Sequence, residues 1–145
     1  MRRFHVVAYV VALVVMLLID AVWLTVMGGL LYRPLLGSIL RAEPDFVAAA
    51  LFYLIYVVGI VAFAVEAGRR GGGWRAAARM GALFGFTAYA TYDLTNQATL
   101  AAWSPVLTLV DLVWGTALTA VVAAAAFVAA GAATGLIRAA PSRSR

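Results

Sequence analysis

The chain has 145 residues, 66% of them hydrophobic and 12% charged, far from the mix of about half apolar and a quarter charged that marks soluble domains. Its net charge of +5 is carried by arginine alone, in blocks between apolar runs, which reads as a membrane-topology signal and excludes a nucleic-acid surface. With no cysteine, no lysine and one histidine, His5, the chain lacks the residues for disulfides, thiol redox chemistry, a Schiff base or a histidine-clustered haem or di-iron centre; no cofactor is indicated and no metal motif is present.

The first apolar run, residues 4–27, follows Arg2 and Arg3. It is too long for a signal-peptide core and ends without a small-residue cleavage site, so it is predicted to be a retained first span. In the connection that follows, Leu31, Leu35, Leu36, Ile39 and Leu40 recur at helical spacing and Pro34 suits a helix start. A short amphipathic helix on the outer membrane face is expected there. The second run, residues 46–65, is introduced by Glu43, Pro44 and Asp45, with acids placed to favour a helix N-terminus. A glycine- and arginine-rich turn over residues 68–75 leads to a third run at 80–97, and the fourth begins at Pro105 and ends near Ile137. About 20 apolar residues cross a bilayer core, so the fold class expected is all-α: a four-transmembrane-helix bundle forming a single integral membrane domain over residues 1–145, with the short outer-face helix between spans one and two.

In that arrangement Arg2, Arg3, Arg69, Arg70, Arg75, Arg79, Arg138, Arg143 and Arg145 fall on one side and only Arg33 and Arg41 on the other. The positive-inside rule then puts both termini in the cytoplasm.

Three acids interrupt the spans: Asp20, Asp93 and Asp111. Translocon scales charge about 2.5–3.5 kcal/mol for an aspartate at a helix centre, so each calls for a partner or a function. Counting along the helices puts all three roughly 6–11 Å below the outer boundary, at one shared depth. Two carry the same pattern, Asp20-Ala-Val-Trp23 and Asp111-Leu-Val-Trp114, with carboxylate and indole one turn apart. Because those helices run oppositely, Trp23 is expected nearer the interface and Trp114 deeper. Span three repeats Gly81, Gly85, Tyr89, Tyr92 and Asn96 at intervals of three and four, with Asp93 at the edge of that arc; its glycines fit close helix packing. Span two sets Phe52, Tyr56, Gly59, Phe63 and Glu66 on one face with Tyr53 beside them, an aromatic wall able to offer phenol donors. Glu66 has Arg69 and Arg70 three and four residues on, which explains it as a terminal ion pair.

Residues 18–24, 52–56, 89–96 and 110–115, and most specifically Thr91-Tyr92-Asp93-Leu94-Thr95-Asn96 followed by Trp103, resemble the bacterial membrane-protein family called domain of unknown function 2177. The resemblance implies a small multi-pass protein of the bacterial cytoplasmic (inner) membrane and brings no activity with it.

The candidate ligand-binding residues are Asp20, Asp93, Asn96, Asp111, Tyr53, Tyr56, Tyr89, Tyr92, Trp23 and Trp114, gathered in the outer half of the bundle. The reading they favour is binding or transport of a small cationic or proton-coupled solute, since buried acids can exchange protons. No inverted repeat is visible, so alternating access would need a homo-oligomer. An intramembrane enzyme acting on lipids or isoprenoids is a second reading, with two carboxylates sharing acid and base roles or holding a divalent metal. A structural or accessory membrane subunit is the third. The expected partners are the lipid bilayer and a small-molecule or lipid ligand.

Overall fold

The computed structural model describes residues 1–136, which are helical with short connections and no strand. The expected end of the fourth span near Ile137, and Arg138, Arg143 and Arg145, lie outside the described residues. Helix α1 spans Arg2–Met27, α2 Arg33–Leu36, α3 Phe46–Gly59, α4 Gly73–Thr99 and α5 Pro105–Thr134. Asp45 caps α3, accepting hydrogen bonds from the backbone N–H groups of Val47 and Ala48 at 3.1 and 3.0 Å, as its position before the apolar run predicts.

Three continuous helical stretches, rather than the four expected, are long and apolar enough to cross a membrane: Arg2–Leu36, Phe46–Thr99 and Pro105–Thr134. The middle one is 54 residues long, about 80 Å if straight, but it is not straight. Gly71 and Gly73 adopt φ of 109° and 64°, a region where only glycine is comfortable, and the chain doubles back there. Gly68 consequently lies against Ala77, and Gly59 against the ring of Phe84. A π-helical segment, Ile60–Val65, joins α3 to the turn.

The separate outer-face helix is not seen. From Met27 the chain continues through a π-helical turn, Gly28–Tyr32, into the four residues of α2, and the run ends at Gly37 with φ 43°. One side of it faces protein: Leu36 is buried and forms a small apolar cluster with Trp103 and Leu107, against which Leu31, Tyr32 and Leu35 pack, while Ile39 and Leu40 stay exposed. Burial of these groups outweighs spreading them on a surface, which the periodicity alone does not distinguish.

Each long helix buries one narrow stripe. In α1 it is Phe4, Ala8, Ala12, Met16 and Asp20; in α4 it is Ala77, Gly81, Gly85 and Asp93. In α5 it runs from Leu107 and Asp111 through Gly115, Thr119, Ala123 and Phe127 to Gly131. Intervals of three and four keep one face inward, so each of the three aspartates occupies a core position of its own helix. The closest packing is between α4 and α5. A Cβ added at Gly81 would lie 2.7 Å from the Thr119 carbonyl oxygen, and one at Gly85 would collide with the Gly115 carbonyl. The glycines let the two backbones approach, as expected.

At the arginine-rich end, Glu66 accepts from Nε and Nη2 of Arg69, both at 2.5 Å, and from Nε of Arg70 at 3.2 Å. His5 Nε2 lies 3.2 Å from the same carboxylate, tying α1 to the hairpin. The Arg69 guanidinium is the main reason that the Glu66 carboxyl is held at about 2, against an ordinary 4.5.

Candidate functional site

Helices α1 and α5 run antiparallel: Phe4 meets Phe127 at one end, and Trp23 stacks on Trp114 near the other, with ring centroids 3.9 Å apart and planes within 9° of parallel. The two Asp-x-Val-Trp segments therefore meet at their indole rings. Each acid sits one turn from its tryptophan along its own helix.

The indoles and phenols then bridge helices. Trp114 Nε1 donates to Asp20 Oδ1 at 3.4 Å, and Tyr53 of α3 donates to Asp20 Oδ2 at 2.5 Å. Trp23 Nε1 donates to the Tyr32 hydroxyl at 3.0 Å, and that hydroxyl donates to Asp111 Oδ1 at 2.8 Å. Hydrogen bonds to ionisable acceptors of this kind are among the stronger ones. Deeper, Tyr56 and Thr119 share a hydrogen bond of 2.8 Å while the Thr119 hydroxyl also donates to the Gly115 carbonyl at 2.7 Å.

Above this floor the helices part. The segment Ile60–Val65 packs on both α4 and α5, whereas α3 leans mainly on α1. The wedge between α3 and α4 is a cavity of about 750 Å³, walled by Asp20, Asp111, Tyr32, Tyr53, Tyr56, Tyr89, Tyr92 and Trp103, with Arg33 and Arg41 at its rim. Tyr89 packs flat on Gly115, and Tyr92 sets its edge against Trp103 at 5.6 Å. The cavity suits a ligand with an apolar body and few polar groups. Asp20 already accepts on both oxygens; Asp111 accepts on Oδ1 only, and its Oδ2 has no donor among the described residues. A second, apolar groove of about 510 Å³ runs between Leu18, Val22, Val26 and Trp114.

Of the ten sequence-predicted residues, Asp20, Asp111, Tyr53, Tyr56, Tyr89 and Tyr92 border the large cavity, and Trp23 and Trp114 tie its acids together. Asp93 and Asn96 do not line it. Asp93 is fully buried, and neither of its oxygens has a hydrogen-bond partner. The facing of Gly81 on Thr119 and Ala123, and of Gly85 on Gly115 and Thr119, carried two turns onward, sets it opposite residues 107–111, level with Asp111. Among the described residues no three histidine, aspartate or glutamate side chains converge to hold a metal ion.

Tyr32, Arg33 and Arg41 were not singled out as site residues. Arg33 and Arg41 are legible as the two arginines set apart from the other nine. Tyr32 gives no local signal, because its hydroxyl reaches Asp111 across 79 positions of sequence. Comparison with known proteins adds the family. No curated protein matches the chain, and no solved structure does. The family model described as "Predicted membrane protein (DUF2177)" matches residues 5–128, most of the chain, and the protein belongs to that family.

Proposed function

We propose that this protein crosses the bacterial cytoplasmic membrane four times as one integral domain, both termini inside, and that the cavity binds a small organic cation in the outer half of the bundle. The four crossings rest on the reversal at Gly71 and Gly73, which makes α3 and α4 two arms of a hairpin, and on the arginine asymmetry. Reporter fusions after Arg41 and near Trp103 should register the outside, and a fusion near Gly72 the inside; a reversal at any of them would overturn the topology.

The observation that carries the binding reading is that Asp20 and Asp111, from opposed helices, border one aromatic-walled cavity and that Asp111 keeps an oxygen without a donor among the described residues. An acid within a membrane protein is commonly functional. A carboxylate provides the counter-charge for an ammonium group, and tyrosine and tryptophan faces attract the same charge. Tetraalkylammonium ions of increasing size, titrated against the purified protein, should give a saturable change in tryptophan fluorescence. Asp111→Asn should weaken that response at least tenfold while leaving the fold intact. Equal binding by wild type and this variant would sink the reading.

A second reading, an enzyme acting on a lipid or isoprenoid, is supported by the gap between α3 and α4, which in a bilayer opens sideways toward lipid. Lipid extracts from cells with and without the gene should then differ in at least one species.

A further inference from the structure

The charges around the cavity are ordered in a way that a simple cation does not use. The acids are on the wall, and the two arginines are at the mouth, where they would repel a bare ammonium ion. Arg33 forms no ion pair among the described residues, and Arg41 reaches only Asp45, at 3.5 Å with both side chains exposed. That acid is also engaged, since its other oxygen caps α3. Arg33 follows directly on Tyr32, whose hydroxyl bonds Asp111, so the guanidinium and the acid are held by one short piece of chain. Between rim and acid the wall is Trp103, Leu36 and Leu107, which offers apolar contact and no competing charge.

We propose that the ligand is dipolar: a molecule with an ammonium group at its inner end and a phosphate or carboxylate at its outer end. The ammonium meets Asp111, and the anionic group meets the guanidinium groups of Arg33 and Arg41, the side chain best shaped for planar, paired contact with such oxygens. This rests on the cation-binding reading above and adds the anionic half. The chemistry fits both a phosphoethanolamine lipid headgroup, entering between α3 and α4, and a free water-soluble zwitterion entering past the arginines.

The test compares matched probes on the full-length protein by tryptophan fluorescence. Glycerophosphoethanolamine should bind at least tenfold more tightly than ethanolamine, and Arg33→Gln with Arg41→Gln should erase that advantage while ethanolamine binding is kept or tightened by the loss of the repelling charges. Binding of ethanolamine as tight as that of the zwitterion, or an advantage that survives loss of both arginines, overturns the dipolar assignment and leaves cation binding standing. Failure of both probes, with tetraalkylammonium ions also silent, overturns both. Nanodiscs containing phosphatidylethanolamine, compared with phosphatidylglycerol alone, identify the source: competition by the former against the soluble probe assigns a lipid, and its absence assigns a free solute.

Discussion

The two ends of this bundle are built from the same helices by opposite means. Toward the arginine-rich end, alanine, valine and glycine stripes close on one another, and contact is backbone to backbone. Toward the aromatic end the stripes go on, but they carry Asp20, Asp93 and Asp111, and contact is made through long side chains that bridge gaps. Small residues bring helices together through close approach, whereas large hydrogen-bonded ones hold helices apart at a set distance. The first kind of packing draws the helices into contact; the second leaves a cavity of about 750 Å³.

The largest effect should come from breaking the close-packed end. Gly85→Leu places a side chain where the Gly115 carbonyl and the Thr119 side chain already lie, and overpacking of this kind costs about 1–3 kcal/mol or more. Loss of folded protein in detergent, scored by size-exclusion chromatography, is the expected outcome. Gly28→Ala, with nothing within 4 Å of the added carbon, should behave like wild type.

Next come the acid bridges. Tyr53→Phe removes the 2.5 Å donor to Asp20 and should lower thermal stability by about 1–3 kcal/mol, the cost of leaving a buried polar group short of a partner. Asp20→Asn in the same background should recover part of that loss; a fully additive pair would show that the two groups do not act together. Trp23→Phe keeps a ring in the stack but removes the N–H that orients Tyr32, and a loss of about 1 kcal/mol is expected.

The smallest effect belongs to Glu66. Its carboxyl is held at about 2, against an ordinary 4.5, so its contribution is complete above pH 4.5 and is lost as pH falls toward 2. Because the pair is at the hairpin turn and partly open to solvent, the contribution is modest. Thermal melts of wild type and Glu66→Gln should converge over that window and remain apart above it. Curves that run parallel throughout would exclude the ion pair as the source.

Much of the close-packed end was legible because its signals are local. Gly81 and Gly85 at a four-residue interval announce an approach, and Glu66 meets arginines three and four positions on. At the aromatic end, helical period correctly puts Asp20, Asp93 and Asp111 on buried stripes, yet it does not decide which stripe faces a cavity. Asp20 and Asp111 border one and Asp93 does not, because that depends on how far α3 stands from α4. The stacking of Trp23 on Trp114 was equally out of reach, since it follows from the register of two helices 91 positions apart. Leu31 to Leu36 showed the right period for a surface helix and instead cover Trp103 and Leu107, because the chain never leaves the first helix.

The π-helical turn at Gly28–Tyr32 works as an aiming device. There the Arg33 N–H bonds back five residues, to the Gly28 carbonyl, where an α-helix would bond back four. One residue is in effect spliced into the helix, and every side chain beyond it is rotated by about 100° relative to an unbroken α-helix. Tyr32 thereby faces Asp111, and Arg33 comes to the cavity rim. Removing a single glycine from this turn would return the helix to ordinary winding and swing both side chains off their targets without altering any of the groups that they address.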